Sequence, residues 1–148
     1  MQKPAVFLDA DVIFAGAASP SEHGASLVVL RLGEITLLDC VTSEQAIVEV
    51  ERNLAAKLPA KLPDFQLLVR RCLRVVPNPD LATLANFAGQ ADPKDLPLLA
   101  AAVQANCRWF LTFNTRHYFP AGEAIVIQRP GEFLRNIRGV LNQLASPD

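Results

Sequence analysis

The chain has 148 residues, of which 51% are hydrophobic and 20% charged, with a net charge of −1 and a mean hydropathy of +0.22. This composition excludes a disordered segment, and the length suits one domain large enough to bury a core. The near-neutral charge excludes a generally basic surface, so a polyanionic substrate would need a local basic patch or a bound metal ion.

The sequence also limits the membrane and targeting segments and the roles of the cysteines that can be expected. No apolar run reaches the roughly 18–20 residues that a membrane span needs. The apolar N-terminal segment contains two aspartates, unlike a signal peptide, so we expect a cytoplasmic protein. Cys40, Cys72 and Cys107 are widely spaced, which predicts buried thiols rather than a disulfide framework or a zinc site.

Short apolar strands alternate with amphipathic helices along the chain. In chain order, the first half predicts a strand over residues 5–8, a helix over 22–32, a strand over 36–41, a helix to residue 57, a helix over 65–73 and a strand over 74–76. Thr42 is the predicted N-cap of the helix that ends at residue 57, because Gln45 follows three residues later in a capping-box pattern.

The second half continues this alternation. It predicts helices over residues 81–88 and 95–106, strands over 109–112 and 124–127, a polar loop over 114–122 and a final helix over 130–144. Strands that alternate with helices predict an α/β fold with a mainly parallel sheet and right-handed crossovers.

Acidic side chains recur where predicted strands end or the next helices begin. Ligand sites of open parallel sheets lie beyond the carboxyl ends of the strands, so these positions are candidates for one site. They include Asp9 and Asp11, Glu49 and Glu51, and Asp92 and Asp95, with Thr112, Asn114 and Arg116 after a later strand.

Converging carboxylates repel one another unless a cation lies between them, and Mg²⁺ or Mn²⁺ would take oxygen ligands of this kind. Each acid also has a purely structural interpretation. Asp9 and Asp11 suit turn or helix caps, Glu49 and Glu51 suit solvated helix positions, Asp92 suits a turn, and Asp95 suits the first turn of a helix.

The segments FLDADVIFAG, TSEQAIVEVERNL and ADPKDLPLLAAAVQANCRWFLTFNTRHYFP resemble, in this order, PIN-domain nucleases, and in particular the VapC-like toxins of bacterial toxin–antitoxin systems. The resemblance implies a single PIN-like domain over residues 1–148, folded as a three-layer α/β/α sandwich around a mainly parallel sheet. It implies a cytoplasmic ribonuclease that uses Mg²⁺ or Mn²⁺, with a protein antitoxin and a homodimer as expected partners.

The resemblance also implies roles for individual residues. Asp9, Glu49 and Asp95 match the acids that hold the metal, and Glu49 is preferred to Glu51 by its spacing from Ser43. The fourth acid of the family is replaced here by the neutral Asn114, which leaves one charge fewer at the site, and Asp92 is a candidate to compensate. Supporting roles fall to Asp11, expected to bond within its turn and orient Asp9, and to Thr112, expected to bond a carboxylate. Arg116 and His117 follow on the loop beside the site, where they either contact the RNA backbone or are simply a solvated loop cation and a surface histidine.

Two other functions remain open from the sequence. With Asn114 in place of an acid, the protein could be a catalytically weakened PIN-fold module that binds RNA or an antitoxin. The segment FLDADV also resembles the Asp-x-Asp opening of haloacid dehalogenase-type phosphatases, in which the first aspartate is a nucleophile. That family carries an acidic pair after a late strand, whereas this chain has Thr112-Phe113-Asn114 there.

Overall fold

A computed structural model describes residues 2–19, 21 and 24–145. Its sheet has five strands, all parallel, in the order β3-β2-β1-β4-β5. The strands are β1 (Ala5–Leu8), β2 (Asp39–Ser43), β3 (Arg74–Val76), β4 (Trp109–Leu111) and β5 (Val126–Gln128). The predicted bounds of β1 and β3 are confirmed, whereas β2 and β5 each begin and end further along the chain than predicted.

The described residues form seven α-helices around this sheet: α1 (Ala10–Ala18), α2 (Ala25–Glu34), α3 (Glu44–Lys57), α4 (Leu62–Cys72), α5 (Leu81–Ala85), α6 (Leu96–Gln104) and α7 (Pro130–Ala145). The predicted start of α2 at Glu22 lies outside the described residues. None of the described helices is both long and apolar enough to cross a bilayer.

The chain path places these helices on both faces of the sheet. The first two crossovers run outward from β1 to β2 to β3, and the third returns past β1 to β4. Right-handed crossovers therefore put α1–α4 on one face and α5 and α6 on the other, and α7 packs against α2 on the first face. The predicted three-layer α/β/α sandwich is confirmed.

The N-cap of α3 is one residue later than predicted. Ser43 is the cap, and its Oγ accepts a hydrogen bond from the backbone N–H of Ala46 at 3.3 Å. Thr42 is still part of β2, and its hydroxyl donates to the backbone carbonyl of Leu8 at 2.9 Å. The prediction of Thr42 was wrong because strand pairing with β3 extends to Ser43, and this pairing depends on residues distant in sequence.

The core lies on both faces of the central strands. Phe7 of β1 and Phe110 of β4 are both fully buried and stack with ring centroids 5.1 Å apart. The three cysteines are buried and free, as predicted. Burial raises the pKa of Cys40 and Cys107 to about 12 and that of Cys72 to about 11, so these thiols stay protonated and unreactive at neutral pH.

Gly33 in α2 marks a close approach between this helix and the segment that leads into β3. A Cβ at this position would lie 2.8 Å from the backbone carbonyl oxygen of Cys72 and 2.9 Å from the Sγ of Cys40. We expect Gly33→Ala to destabilise the fold by about 1–3 kcal/mol, because a backbone oxygen cannot easily move aside. Chemical denaturation measures the change.

Gly139 in α7 provides the matched control, since a Cβ there would meet no atom within 4 Å. Gly139→Ala should stabilise the protein by roughly 0.5–1 kcal/mol through helix propensity alone. Equal effects of the two substitutions would contradict the proposed packing of α2.

Candidate active site

The candidate site lies where the direction of strand addition reverses. The chain leaves β1 toward β2 on one side, and it leaves β4 toward β5 on the other. Such a reversal leaves a crevice between the carboxyl ends of the two central strands, here β1 and β4. Asp9 directly follows β1 and Thr112 directly follows β4. The two ends are joined by a hydrogen bond from the Asp9 N–H to the Leu111 carbonyl at 3.0 Å.

Asp9 is a buried carboxylate held by three hydrogen-bond donors. It is the N-cap of α1, and its Oδ1 accepts from the N–H of Ala10 at 2.7 Å. Its Oδ2 accepts from the hydroxyls of Thr112 and Tyr118, each at 2.9 Å. Only 6% of the residue is exposed. A carboxylate has about four acceptor positions, so Asp9 retains one for a further ligand.

The surroundings of Asp9 oppose its ionisation. Burial, together with the nearby charge of Asp11, raises the pKa of Asp9 from 3.8 to about 7, although the three hydrogen bonds act in the opposite direction. Without a cation, a buried charge at this position is therefore destabilising at neutral pH. A bound cation would favour the ionised form and relieve this cost.

Asp11 connects α1 to the end of β4. Its Oδ2 accepts from the N–H of Phe113 at 3.0 Å, from Nδ2 of Asn114 at 3.2 Å and from the Thr112 hydroxyl at 3.3 Å. These hydrogen bonds join Asp11 to the loop after β4, whereas the resemblance implied a hydrogen bond within the turn of Asp11. Burial raises its pKa, and its Oδ1 is buried without a hydrogen-bond partner among the described residues.

Thr112 is the residue shared by the two carboxylates. It is fully buried, and its single hydroxyl proton lies within reach of both Asp9 and Asp11. Its hydroxyl oxygen also accepts from the N–H of Asn114 at 3.0 Å. The expected bond from Thr112 to a carboxylate is present. Through it, the orientation of Asp9 is coupled to the backbone after β4.

A second group of ligand atoms is formed by Asp92, Asp95 and His117. The Nδ1 of His117 lies 3.1 Å from Oδ2 of Asp95 and 3.7 Å from Oδ2 of Asp92. One ligand atom from each residue lies within 4.8 Å of the other two. Asp95 is the N-cap of α6, but its side chain makes no capping bond and is directed instead to His117.

Tyr118 lies between these two groups and was not predicted as a site residue. Its ring packs on Phe110 with centroids 4.5 Å apart. Burial and the charges of Asp9 and Asp95 raise its pKa far above the usual range, so it remains a neutral donor to Asp9. Its sequence signal was an aromatic side chain with a hydroxyl group in the loop that follows a strand of the sheet.

Glu49 faces the same region from α3. Its Oε1 accepts from the side-chain amide of Gln45 at 3.3 Å. Glu49 and Asp95 line one cleft of about 270 Å³, together with Arg52, Asn53 and Lys94. Glu51 is exposed on the surface of α3 and does not line this cleft. The structure therefore places Glu49, rather than Glu51, beside Asp95.

A basic cleft adjoins the carboxylates. It has a volume of about 360 Å³ and is lined by the loop residues Phe113, Asn114, Thr115, Arg116 and His117 and by Arg129. The side chains of Arg116 and Arg129 are exposed, and Arg129 had not been singled out from the sequence. The cleft supplies the local positive charge that the near-neutral chain lacks overall.

The donor set fits a hard divalent cation. Carboxylate and amide oxygens, which hard cations prefer, surround the crevice. Ionisation of Asp9 without a cation is unfavourable, as its raised pKa shows. Asp11 also carries a buried oxygen that has no hydrogen-bond partner among the described residues. Among the ion pairs of the described residues, those of Asp92 and Asp95 are with His117, and no pair joins a lysine or arginine to Asp9 or Asp11. These features define a protein class: a three-layer α/β/α fold with a carboxylate site at the reversal point of a parallel sheet.

Comparison with known proteins identifies the family within this class. The family model described as PIN domain matches residues 5–116, which is most of the chain, and the protein therefore belongs to the PIN-domain family. Its structure is similar to that of VapBC2 from Rickettsia felis, determined in complex with a DNA fragment from their promoter. The TM-score is 0.62 at 12% identity, over 84% of this chain and 98% of the other. No curated protein matched the sequence.

Proposed function

We propose that the protein is a metal-dependent endoribonuclease, consisting of one PIN-like domain and acting as the toxin of a toxin–antitoxin pair. The observation that carries the proposal is the buried Asp9 at the reversal point of the sheet, with Asp95 on the neighbouring helix α6. Asp9 also caps α1, but a neutral asparagine or serine would cap the helix without the cost of ionising a buried carboxylate. PIN-family membership makes a nuclease the natural use of such a site.

The residues that would hold Mg²⁺ or Mn²⁺ are Asp9, Glu49 and Asp95, with Asn114 as a neutral oxygen donor. When bound, the cation would polarise the scissile phosphate, lower the pKa of a water molecule and offset charge on the leaving oxygen. Thr112 and Tyr118 donate to Oδ2 of Asp9 and so fix its orientation. Asp11 holds the loop after β4, including the Asn114 side chain, in position.

Arg116 and Arg129 would contact the RNA backbone. Both line the cleft that adjoins the carboxylates, where a phosphate could lie beside the metal ligands. Replacing both with glutamine should weaken single-stranded RNA binding by about tenfold. The slope of log affinity against log salt should become shallower by roughly 1.4, because each lost phosphate contact removes about 0.7. Fluorescence anisotropy across a salt series measures both quantities.

Arg70 on α4 is exposed outside this cleft and provides the control. Arg70→Gln should leave the RNA affinity and its salt slope close to those of the wild type. A double variant of Arg116 and Arg129 with an unchanged salt slope would show that the cleft does not bind the backbone.

Cleavage itself is tested by incubating a single-stranded RNA with Mn²⁺ and the wild type, Asp9→Asn or Asp95→Asn. Each substitution should reduce the rate by about a hundredfold or more, because a ligand to the cation contributes several kcal/mol to charge stabilisation. Glu51→Gln, at the exposed acid of α3, should cleave like the wild type. Equal rates in all variants would identify a contaminating nuclease and refute the proposal.

The proposed partners follow from the family and from the neighbouring structure. The VapBC2 complex combines its two protein components with promoter DNA. By analogy we propose a protein antitoxin for this chain, a homodimeric state and a cytoplasmic location. Co-purification with the product of the adjacent gene tests for the antitoxin, and light scattering tests for the homodimer.

Asn114 favours one alternative function. Its amide donates to Asp11, so the position that would carry a fourth acid contributes no charge. A catalytically weakened module that binds RNA or an antitoxin would show RNA affinity without metal-dependent turnover in the assay above. A haloacid dehalogenase-type phosphatase has no support beyond FLDADV, because the family match is to the PIN domain and Thr112-Phe113-Asn114 supplies no acidic pair.

A further inference from the structure

The ligand atoms of Asp92, Asp95 and His117 converge although they come from two separate segments. Two distances, 3.1 Å from Nδ1 of His117 to Asp95 and 3.7 Å to Asp92, place an imidazole nitrogen among carboxylate oxygens. We propose that these three residues bind a divalent transition-metal ion in preference to Mg²⁺. This proposal rests on the proposed function in one respect, because Asp95 is also a ligand in the proposed nuclease site. The set of three ligands is taken from the distances in the structure.

Backbone hydrogen bonds hold the three residues in place before any ion binds. The N–H of Asp95 donates to the carbonyl of Asp92 at 2.8 Å, and the N–H of Asp92 donates to the carbonyl of His117 at 2.9 Å. A bridge between Ala91 and Tyr118 joins the same two segments. The backbone segments that carry the three ligands are therefore fixed relative to each other, so binding an ion would need little rearrangement of the chain.

The side chains are accessible enough for an ion to enter. The exposed fractions of the side chains are 43% for Asp92, 35% for His117 and 16% for Asp95. The cluster thus has two half-exposed members at its mouth and a more buried acid at its base. Asp95 also contributes to the raised pKa of Asp11, so the cluster lies within electrostatic range of the main carboxylates.

The nitrogen ligand determines the expected selectivity. Mg²⁺ prefers an all-oxygen octahedron and retains its waters, whereas Co²⁺, Ni²⁺ and Zn²⁺ bind imidazole well. We therefore expect the site to prefer such a transition-metal ion to Mg²⁺.

The competing explanation is that His117 is only a cation that neutralises Asp92 and Asp95. Two substitutions separate the alternatives. His117→Asn removes the imidazole together with any positive charge it could carry, and His117→Arg removes the imidazole but supplies a positive charge. If His117 is a ligand, both variants lose the ion, and if it is only a counter-charge, His117→Arg behaves as the wild type.

The experiment uses tag-free protein and titrates Co²⁺ and Mg²⁺ separately, with calorimetry for affinity and visible absorption for Co²⁺ coordination. The wild type should bind Co²⁺ more tightly than Mg²⁺ and develop a cobalt absorption band. His117→Asn, His117→Arg and Asp92→Asn should each lower the Co²⁺ affinity by about tenfold or more. The Mg²⁺ affinity of the His117 variants should remain close to that of the wild type.

The other histidine of the chain, His23, provides the matched control and lies outside the described residues. His23→Asn should retain the wild-type Co²⁺ affinity and absorption band. Unchanged Co²⁺ binding in His117→Asn, or wild-type binding in His117→Arg, would overturn the proposal. These outcomes are independent of RNA cleavage, so failure of the nuclease assay with intact, His117-dependent Co²⁺ binding would refute only the proposed function.

Discussion

Asp9→Asn is expected to stabilise the metal-free protein at pH 8 while it abolishes RNA cleavage. The pKa of Asp9 is raised from 3.8 to about 7 in the folded state, so the stability that the protonated side chain contributes is lost as the pH rises toward 7, and at pH 8 the full cost of the buried charge is present. Asparagine removes that charge and still serves as an N-cap for α1. We expect a gain on the order of 2 kcal/mol, or roughly 5 °C in melting temperature.

The pH dependence of the protein's stability follows from the same raised pKa of Asp9. For the wild type, the stability should rise as the pH falls from 8 toward 5, because protonation of Asp9 in the folded state removes the buried charge. Asp9→Asn should have a flatter profile over this range, with Asp11 responsible for part of the remaining slope. The exposed Glu51→Gln should reproduce the wild-type profile. A less stable Asp9→Asn at pH 8 would contradict the described environment of Asp9.

Thr112→Val is expected to reduce both stability and cleavage. The Thr112 hydroxyl donates between Asp9 and Asp11 and accepts from the N–H of Asn114, and the residue is fully buried. Valine has a similar shape but leaves the Asp9 carboxylate and the Asn114 N–H with fewer partners. We expect a loss of about 1–3 kcal/mol in the free energy of unfolding. Denaturant titration and the Mn²⁺-dependent cleavage assay measure the two effects.

Thr42 offers a control of the same chemistry. It is also fully buried, and its hydroxyl donates to the Leu8 carbonyl. Thr42→Val should cost about 1 kcal/mol of stability and leave the cleavage rate unchanged. Thr112→Ser, which keeps the hydroxyl, should recover most of the activity. If Thr42→Val and Thr112→Val reduced cleavage equally, the loss would reflect stability alone.

Much of the fold could be predicted because its elements carry local signals. The apolar run of β1 and the proline at the start of α7 define their own boundaries. In contrast, α1 was missed because its sequence, ADVIFAGAA, is apolar on nearly every side and lacks a helical period. The start of β2 was predicted too early, because residues 36–38 have a strand-like composition while Thr36 adopts a positive φ of 70° in the turn after α2.

The candidate site was predictable only in part. Acids at the ends of strands indicated one edge of the sheet, because parallel strands all present their carboxyl ends there. The contacts of Tyr118 and His117 could not be predicted, since both lie at the end of a short 3₁₀ turn between β4 and β5 that has no periodic pattern in the sequence. The position of that turn depends on the bridge between Ala91 and Tyr118, which no local pattern reveals. The hydrogen bond that Asp11 accepts from the N–H of Phe113, after β4, depends in the same way on tertiary structure.

Calorimetric titration with Mn²⁺ tests the central claim most directly, namely that the buried carboxylate of Asp9 is part of a cation site. The titration compares the wild type with Asp9→Asn at pH 8, where the native carboxylate is ionised. We predict measurable binding by the wild type and its loss in Asp9→Asn, although that variant is folded and more stable. Absence of binding to the wild type at millimolar Mn²⁺, or equal binding by the two proteins, would contradict the account.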